Sequence, residues 1–577
     1  MSSLRSLRLN NLNIYNIMAM NLKSKRQIAR RLRRVGLALV AVLLLVPVLA
    51  AREVTITFLH TADIHGHVAA VRSDREKEPG GPGVPGGPGV PGGPGVPGGP
   101  GVSGGGLLRC ATLIREIRRQ DANVILIDCG DLFQGAPESY LTRNRIIVEA
   151  VRHLRYDVLV TGNHEFDGGV DALRRFYAQA QIPVLAANIH SPREPVLPGM
   201  CPFLCKDVDG VRVVIVGLSN PLIPMWSRPR LMGDVTVEAS LRALRRLMPL
   251  VRKQKPDILV LAAHQGWRKW GDNPANEINA IARAFPEFNV ILGAHTHQVV
   301  AWKTVNGVAY TQAGCYGLWL GVVRLVFDTQ TRRVKSKQIQ LLAVDSSVAP
   351  DKALEDQVAK SLKETKTYLN QAVGVAAVEL KPTSHVRGQS AIQTLIAAAI
   401  AERVNADVVI HRALSDESLR AGRISMRDVW RIVPYDNYIG VAHLTLDELR
   451  QILEENSGFF KSREFRGVYG LTYDLEPKAA AGARISNIRL TGSTLSVEHR
   501  QTMDPPSPGR VRVAFNSYDM ASAGGRLLRL RAILDQNTSR LKEYPDADTR
   551  AAVCAYIRRH QPLDIQAAPG ANVVRVK

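Results

Sequence analysis

A layered α/β architecture, a large domain followed by a smaller one, is what this sequence of 577 residues predicts. Three observations carry it. Short, continuous apolar runs alternate with amphipathic helical stretches, polar residues cluster directly after those runs, and a chain of this length with 45% hydrophobic residues exceeds what one core holds. The runs at 54–59, 124–128, 158–161, 211–218, 257–263, 290–293 and 318–327 read as strands, and 107–119 and 146–154 as helices. Because several runs are apolar at consecutive positions, both faces of their sheets are expected to be covered. Residues 351–372 lack strand character and read as a connecting helix. Beyond them come helices at 391–404 and 446–457 and strands at 408–411 and 511–516.

This pattern divides the chain into an N-terminal address at 1–51, a first domain at 52–345, a linker helix at 346–375, a second domain at 376–560 and a tail at 561–577. The address has a basic run (Lys23, Lys25, Arg26, Arg30, Arg31, Arg33, Arg34), an apolar stretch from Val35 to Val46 and small residues at Ala50 and Ala51. Those are the parts of a cleavable signal peptide; an uncleaved membrane anchor is the alternative. On either reading the rest of the chain is exported, to the periplasm or the cell surface. The paired arginines hint at twin-arginine export without completing its motif, and Met18 or Met20 is an alternative start.

Residues 1–51 also carry nine Lys or Arg and no acid, so the formal charge of +23 falls to +14 without them. The remaining basic residues are scattered rather than gathered with aromatics into a stripe, which argues against a nucleic-acid partner and leaves anionic substrates or surfaces. Six cysteines in so long a chain are no disulfide scaffold. Cys201 and Cys205 are close enough in sequence for one bridge, while Cys129 and Cys315 sit in apolar contexts as thiols. From 79 to 106 the chain turns to Gly, Pro and Val, with Gly at every third position from Gly80 to Gly104. The period is collagen-like, but with eight triplets tied at both ends into one domain we read an extended surface loop rather than a trimerisation segment.

Five short segments follow apolar strands and offer oxygen and imidazole ligands: Asp63-Ile64-His65, Gly130-Asp131, Gly162-Asn163-His164-Glu165, His264, and His295-Thr296-His297. A single such histidine reads as a hydrogen-bonded loop residue; five segments in this order read as a metal site. Together with their flanks, Thr61-Ala62-Asp63-Ile64-His65-Gly66-His67, Asp128-Cys129-Gly130-Asp131-Leu132-Phe133-Gln134-Gly135 and Thr161-Gly162-Asn163-His164-Glu165-Phe166-Asp167, they resemble the 5′-nucleotidase branch of the calcineurin-like metallophosphoesterases. The resemblance implies a four-layer α/β/β/α sandwich for the first domain and a smaller α/β substrate-binding domain after it. It also implies two divalent metal ions (Mn, Zn, Fe or Co), one on Asp63, His65 and His297, the other on Asn163, His264 and His295, with Asp131 shared. Mixed nitrogen and oxygen donors suit those metals better than Ca. His164 would be a catalytic residue held by Asp167, although Asp167 also reads as a cap for the following helix. His67 reads equally as a supporting group or a loop histidine, and His60, His385 and His443 as structural.

In the second domain, Val433-Pro434-Tyr435-Asp436-Asn437 and Asn516-Ser517-Tyr518-Asp519 through Gly524-Gly525-Arg526 continue the resemblance. Tyr435 and Tyr518 match the aromatic clamp on a nucleobase, with Asn437 as a polar reader and Arg526 beside them; the alternative is that both tyrosines are packing residues. Departures are also present. The family's arginine loop reads His411-Arg412-Ala413-Leu414-Ser415-Asp416-Glu417 here, and Arg526 stands where the family has an acid. Asp416 and Arg526 are therefore either a reciprocal swap that preserves one ion pair or a reshaped pocket. The expectation is an exported phosphoesterase acting on 5′-nucleotides or related phosphate esters. Its alternatives are the same chemistry on a sugar phosphate, phosphodiester or sulfur-containing ester, and a surface-binding protein using the collagen-like loop.

Overall fold

The computed structural model describes residues 52–71, 104–383 apart from 194, 390–491 apart from 461 and 463, 509–565 apart from 537, and 574–576. The N-terminal address, the core of the collagen-like insert and His385 lie outside the described residues. Arg52, Glu53 and Asp328–Arg332 belong to a small unit of their own, in which the Thr329 amide donates to the Arg52 carbonyl; the remaining described residues form a second, compact unit.

In that second unit, period-2 alternation along the strands builds the layers. The first sheet has seven strands in the order Arg333–Ala343, Trp319–Asp328, Glu53–Thr61, Val124–Asp128, Val158–Val160, Val184–Leu185, Met200–Cys201. A six-stranded sheet follows the order Val299–Val305, Val308–Ala313, Val290–Gly293, Ile258–Ala263, Val211–Leu218, Phe203–Val208. Ile56, Phe58, Ile125, Ile127, Val158 and Val160 of the first sheet share a core with Val213, Ile215, Ile258, Val260, Val290 and Leu292 of the second. The intervening residues point the other way: Leu59, Leu126 and Leu159 meet the helices Leu107–Gln120, Arg145–Leu154 and Val170–Ala180, and Val214, Leu259 and Ile291 meet Ser240–Lys253 and Ile278–Ala284. The expected four layers, α/β/β/α, result.

The helix Lys352–Leu369, capped by the Asp351 carboxylate on the Leu354 amide, leads to a five-stranded sheet in the order Gly467–Tyr469, Val408–His411, Val511–Asn516, Tyr438–Leu444, Leu541–Asp548. One face of this sheet packs against Ala391–Val404 and Thr549–Arg559, the other against Leu446–Ser457 and Leu528–Gln536. Val574–Val576, in what the sequence reads as a tail, pairs in parallel with Leu471–Leu475.

Val71 and Gly104, at the two ends of the insert, exchange backbone hydrogen bonds of 2.8 and 3.2 Å. All six cysteines are free, and Cys201 and Cys205 lie on strands of different sheets. Among the described residues, no helix is long and apolar enough to cross a membrane.

Candidate metal centre

Within the two large sheets the strands preceding the ligand segments run parallel, so their C-terminal ends share an edge, where open α/β sheets keep their sites. Asp63, Asp131 and Asn163 leave the first sheet just past Thr61, Asp128 and Val160. His264 and the His295–His297 turn leave the second, past Ala263 and Gly293. Five of the seven candidate ligands, Asp63, His65, Asp131, His295 and His297, have left-handed backbones with φ between 49 and 70°. For residues with a Cβ this conformation is strained, and such strain concentrates where function over-determines geometry. Gly162 has no alternative: a Cβ there would stand 2.2 Å from the Asp131 carboxylate.

These residues converge. Asp63, His65 and His297 offer one ligand atom each within 4.8 Å of one another, and Asp131, His264 and His295 do the same. His264 Nε2 lies 3.1 Å from both Asp131 Oδ2 and Asn163 Oδ1, while its Nδ1 is 2.9 Å from the Cys129 carbonyl. His65 Nδ1 is likewise 2.9 Å from the Gln134 carbonyl, and its Nε2 is 3.0 Å from His297 Nε2. A carbonyl only accepts, so Nδ1 carries a proton in both rings, and in a neutral ring Nε2 is then left as the ligand atom. The Nε2 atoms of His264 and His65 thus face a carboxylate, an amide oxygen and another imidazole at hydrogen-bond distance. A proton can bridge each of these contacts, and neutral imidazoles with ionised carboxylates are what a divalent metal binds in its place. The donor set therefore fits the metal centre that the sequence implies.

Ionisation tells the same story. Burial pushes His65 down to about 4 and His295 to about 3, and lowers His297 as well, so these rings stay neutral. Burial also opposes charge on His264, but Asp131 and then Asp63 outweigh it and raise the ring to about 9. A cluster of buried carboxylates is asking for positive charge, which a proton supplies here and a metal would displace.

His164 donates its backbone N–H to Asp131 Oδ1 at 2.9 Å, and its Nδ1 lies 2.7 Å from Asp167 Oδ2. Burial opposes protonation, yet Asp167 and Asp131 push the ring up to about 10. Asp167 does not cap the next helix, whose N-cap is Gly169 with no side-chain bond. His67 belongs to none of the three candidate groups, the third being His65, Asp131 and His164, and lies edge-on to Tyr316 with ring centres 4.8 Å apart. Buried His60 fits against Gly321, where a Cβ would come within 1.9 Å of its ring.

Three contributors have no role in the sequence reading. Glu165 is quoted in a motif there, yet its carboxylate accepts from the amides of Asp131, Leu132 and Gly162 at 3.0, 2.6 and 2.7 Å, tying two ligand loops together. Its position three residues after a glycine is the available signal. Asp128 accepts from the Gly130 amide and from Thr61 Oγ1 at 2.9 and 2.6 Å. Trp226 stacks on His295, ring centres 4.9 Å apart and 22° from parallel; nothing local in the sequence marks it.

The second-domain residues are less concentrated. Tyr435 is half-buried against the cluster of Ala391–Val404 and lies near Tyr316, adding to the burial that raises the Tyr316 phenol. Tyr518 packs half-buried against the other face of its sheet, its hydroxyl 3.3 Å from Arg526 Nη1. The Asn437 side chain accepts from Ser517 Oγ at 3.1 Å. Arg526 pairs with Glu464 at 3.5 Å, whereas Asp416 is exposed. The reciprocal Asp416–Arg526 ion pair is thus not formed, because the loop carries Asp416 outward and Glu464 supplies the acid.

A fold of two face-packed sheets with this centre at one edge defines a metallophosphoesterase. Residues 56–299 match the model of the calcineurin-like phosphoesterases and residues 372–527 that of the 5′-nucleotidase C-terminal domain. The chain thus carries a calcineurin-like phosphoesterase domain followed by a 5′-nucleotidase C-terminal domain. It is 28% identical to a 2′,3′-cyclic-nucleotide 2′-phosphodiesterase/3′-nucleotidase of Yersinia enterocolitica over 47% of this chain and 48% of that one, so it spans about half the length of that relative. Against a 5′-nucleotidase of Vibrio parahaemolyticus it is 24% identical, over 80% of this chain and 86% of the other. The crystal structure of a 5′-nucleotidase precursor from Thermus thermophilus superposes with a TM-score of 0.66 at 20% identity, covering 91% of this chain and 99% of that one.

Proposed function

We propose that the chain is an exported hydrolase that removes phosphate from 5′-nucleotides or related phosphate esters, using two divalent ions drawn from Mn, Zn, Fe or Co. The observation that carries this reading is the convergence of imidazoles and carboxylates around Asp131. Asp63, His65 and His297 would hold one ion, Asn163, His264 and His295 the other, and Asp131 both. When bound, the pair would supply a water-derived nucleophile at neutral pH and neutralise charge on the phosphoryl oxygens. The chain's own groups do the rest. His164, with Nδ1 on Asp167, keeps Nε2–H free to donate to the leaving oxygen, and the high affinity of this ring for a proton holds it charged for that task. Glu165 keeps the Asp131 and Gly162 loops in register. Tyr435 and Tyr518 would stack on a base, Asn437 would read its edge, and Arg526 would meet the far end of the substrate.

Export is supported by the basic and apolar segments of residues 1–51. A nucleotide substrate is supported by the names of the relatives and by the two tyrosines. Purified protein with added Mn should release phosphate from AMP and from p-nitrophenyl phosphate; no turnover on a panel of phosphate mono- and diesters would sink the reading.

A second reading keeps the centre and changes the ester to a sugar phosphate, phosphodiester or sulfur-containing ester. It is favoured by the remodelled pocket, where Arg526 faces Glu464 and Asp416 points away. Nucleosides that fail to compete with substrate would select it. A surface-binding role for the collagen-like loop is tested by deleting residues 80–104: unchanged catalysis with lost self-association would support it.

A further inference from the structure

The histidines of the centre are not all held in the same way. His264 and His65 have their rings fixed by Nδ1–H bonds to the Cys129 and Gln134 carbonyls, the usual device for aiming a metal-facing imidazole. Among the described residues the His295 ring makes no hydrogen bond. It is half-buried, sits on a left-handed backbone at φ 70°, and is covered by the Trp226 indole.

Trp226 ends a short helix, Ile223–Trp226, that the second domain grips from several sides. Ser522 Oγ donates to the Met225 carbonyl at 2.7 Å and Arg531 Nη1 to the Pro224 carbonyl at 2.8 Å. Arg228, its side chain only 6% exposed, pairs with Asp535 at 2.9 Å and with Glu543 at 3.1 Å. Arg230 also pairs with Glu543 and lies 4.5 Å above the Tyr438 ring. A Cβ on Gly524 would stand 3.8 Å from the Trp226 indole nitrogen and 2.9 Å from the Tyr518 hydroxyl, so the indole reaches the edge of the substrate pocket. Arg228 and Glu543 are both largely buried, and a buried, hydrogen-bonded ion pair is costly to break from one side, which makes the grip stiff.

We propose that Trp226 is a positioning residue for His295, and that through it the seating of the second domain on residues 224–230 sets how well the Asp131, His264, His295 triad holds its cation. The proposal rests on reading that triad as a metal site. It assigns to an indole the orienting task that carbonyls perform for His264 and His65, and it connects the substrate-binding half of the molecule to one cation position rather than both.

The test is Mn(II) binding to the full chain stripped with chelator, followed by the EPR signal of free Mn(II). Wild type should take up two equivalents. Trp226→Ala should weaken one of them by about 10- to 100-fold, the usual cost of losing a ligand-orienting group, and leave the other within about 3-fold. Trp226→Phe, which keeps a stacking ring, should stay near wild type, and Arg228→Gln should weaken the same equivalent by about 3-fold. Unchanged binding of both equivalents by a folded Trp226→Ala overturns the proposal while the metal reading stands; no uptake by wild type overturns both. Should Trp226→Ala fail to fold, the difference in Co(II) quenching between wild type and Trp226→Phe decides. Quenching lost with the indole and saturating with one equivalent supports the proposal, and equal quenching in the two proteins overturns it.

Discussion

The two ends of the candidate active site are built by different means. At the metal centre each functional side chain lies on a turn within a few residues of a buried parallel strand, and the turn's own glycines and left-handed residues aim it. In the proposed substrate pocket, Tyr435, Asn437, Tyr518 and Arg526 come from segments about eighty residues apart and take their positions from partners such as Ser517 and Glu464. The first construction tolerates little change, because one substituted residue leaves a buried charge without its counterpart. The second draws on whichever acid lies nearby, as Arg526 does with Glu464. Chemistry and specificity are therefore held with unequal tightness in one molecule.

Substitutions can break this contrast. Asp131→Asn removes the shared carboxylate and should lower phosphate release by at least about 10³-fold, with metal content falling in parallel by elemental analysis. His164→Asn should cost about 10²- to 10⁴-fold in kcat while leaving metal content intact; joint loss of metal would make His164 a ligand instead. Asp167→Asn should cost about 10-fold in kcat. Because Asp167 raises the proton affinity of His164, its loss should also move the alkaline limb of the kcat profile to lower pH; a limb that stays in place would break the pairing.

At the other end the effects should be smaller and confined to larger substrates. Tyr435→Ala or Tyr518→Ala should lower kcat/KM for AMP by about 5- to 100-fold, the worth of one stacked base, and leave p-nitrophenyl phosphate unaffected. Equal losses on both substrates would mean the tyrosines only pack. Asp416→Ala should alter kcat/KM by no more than about 2-fold, since exposed side chains away from special features change little.

Buried parallel strands write themselves into the sequence as apolar runs. Val211–Leu218 and Ile258–Ala263 are legible because both of their faces are covered, and each site residue after such a run inherits its place at the sheet edge. Glu165 is visible in its motif but its task is not, because that task is to accept three amides that only converge in three dimensions. Trp226 leaves no trace: it meets His295 across 69 residues of sequence, with no spacing rule to connect them.

By itself, then, the sequence determined the layered α/β class, the family, and the residues whose chemistry asks for a metal, because those features are written in short segments with local rules. Tertiary structure alone decided that the Asp416–Arg526 pair does not form, that Glu464 stands in its place, that Asp167 serves His164 and not a helix end, and that an indole covers His295. Each of these is settled by which side chain arrives first at a buried charge or ring. Residues distant in the chain compete for that position, and only the packed molecule shows which one holds it.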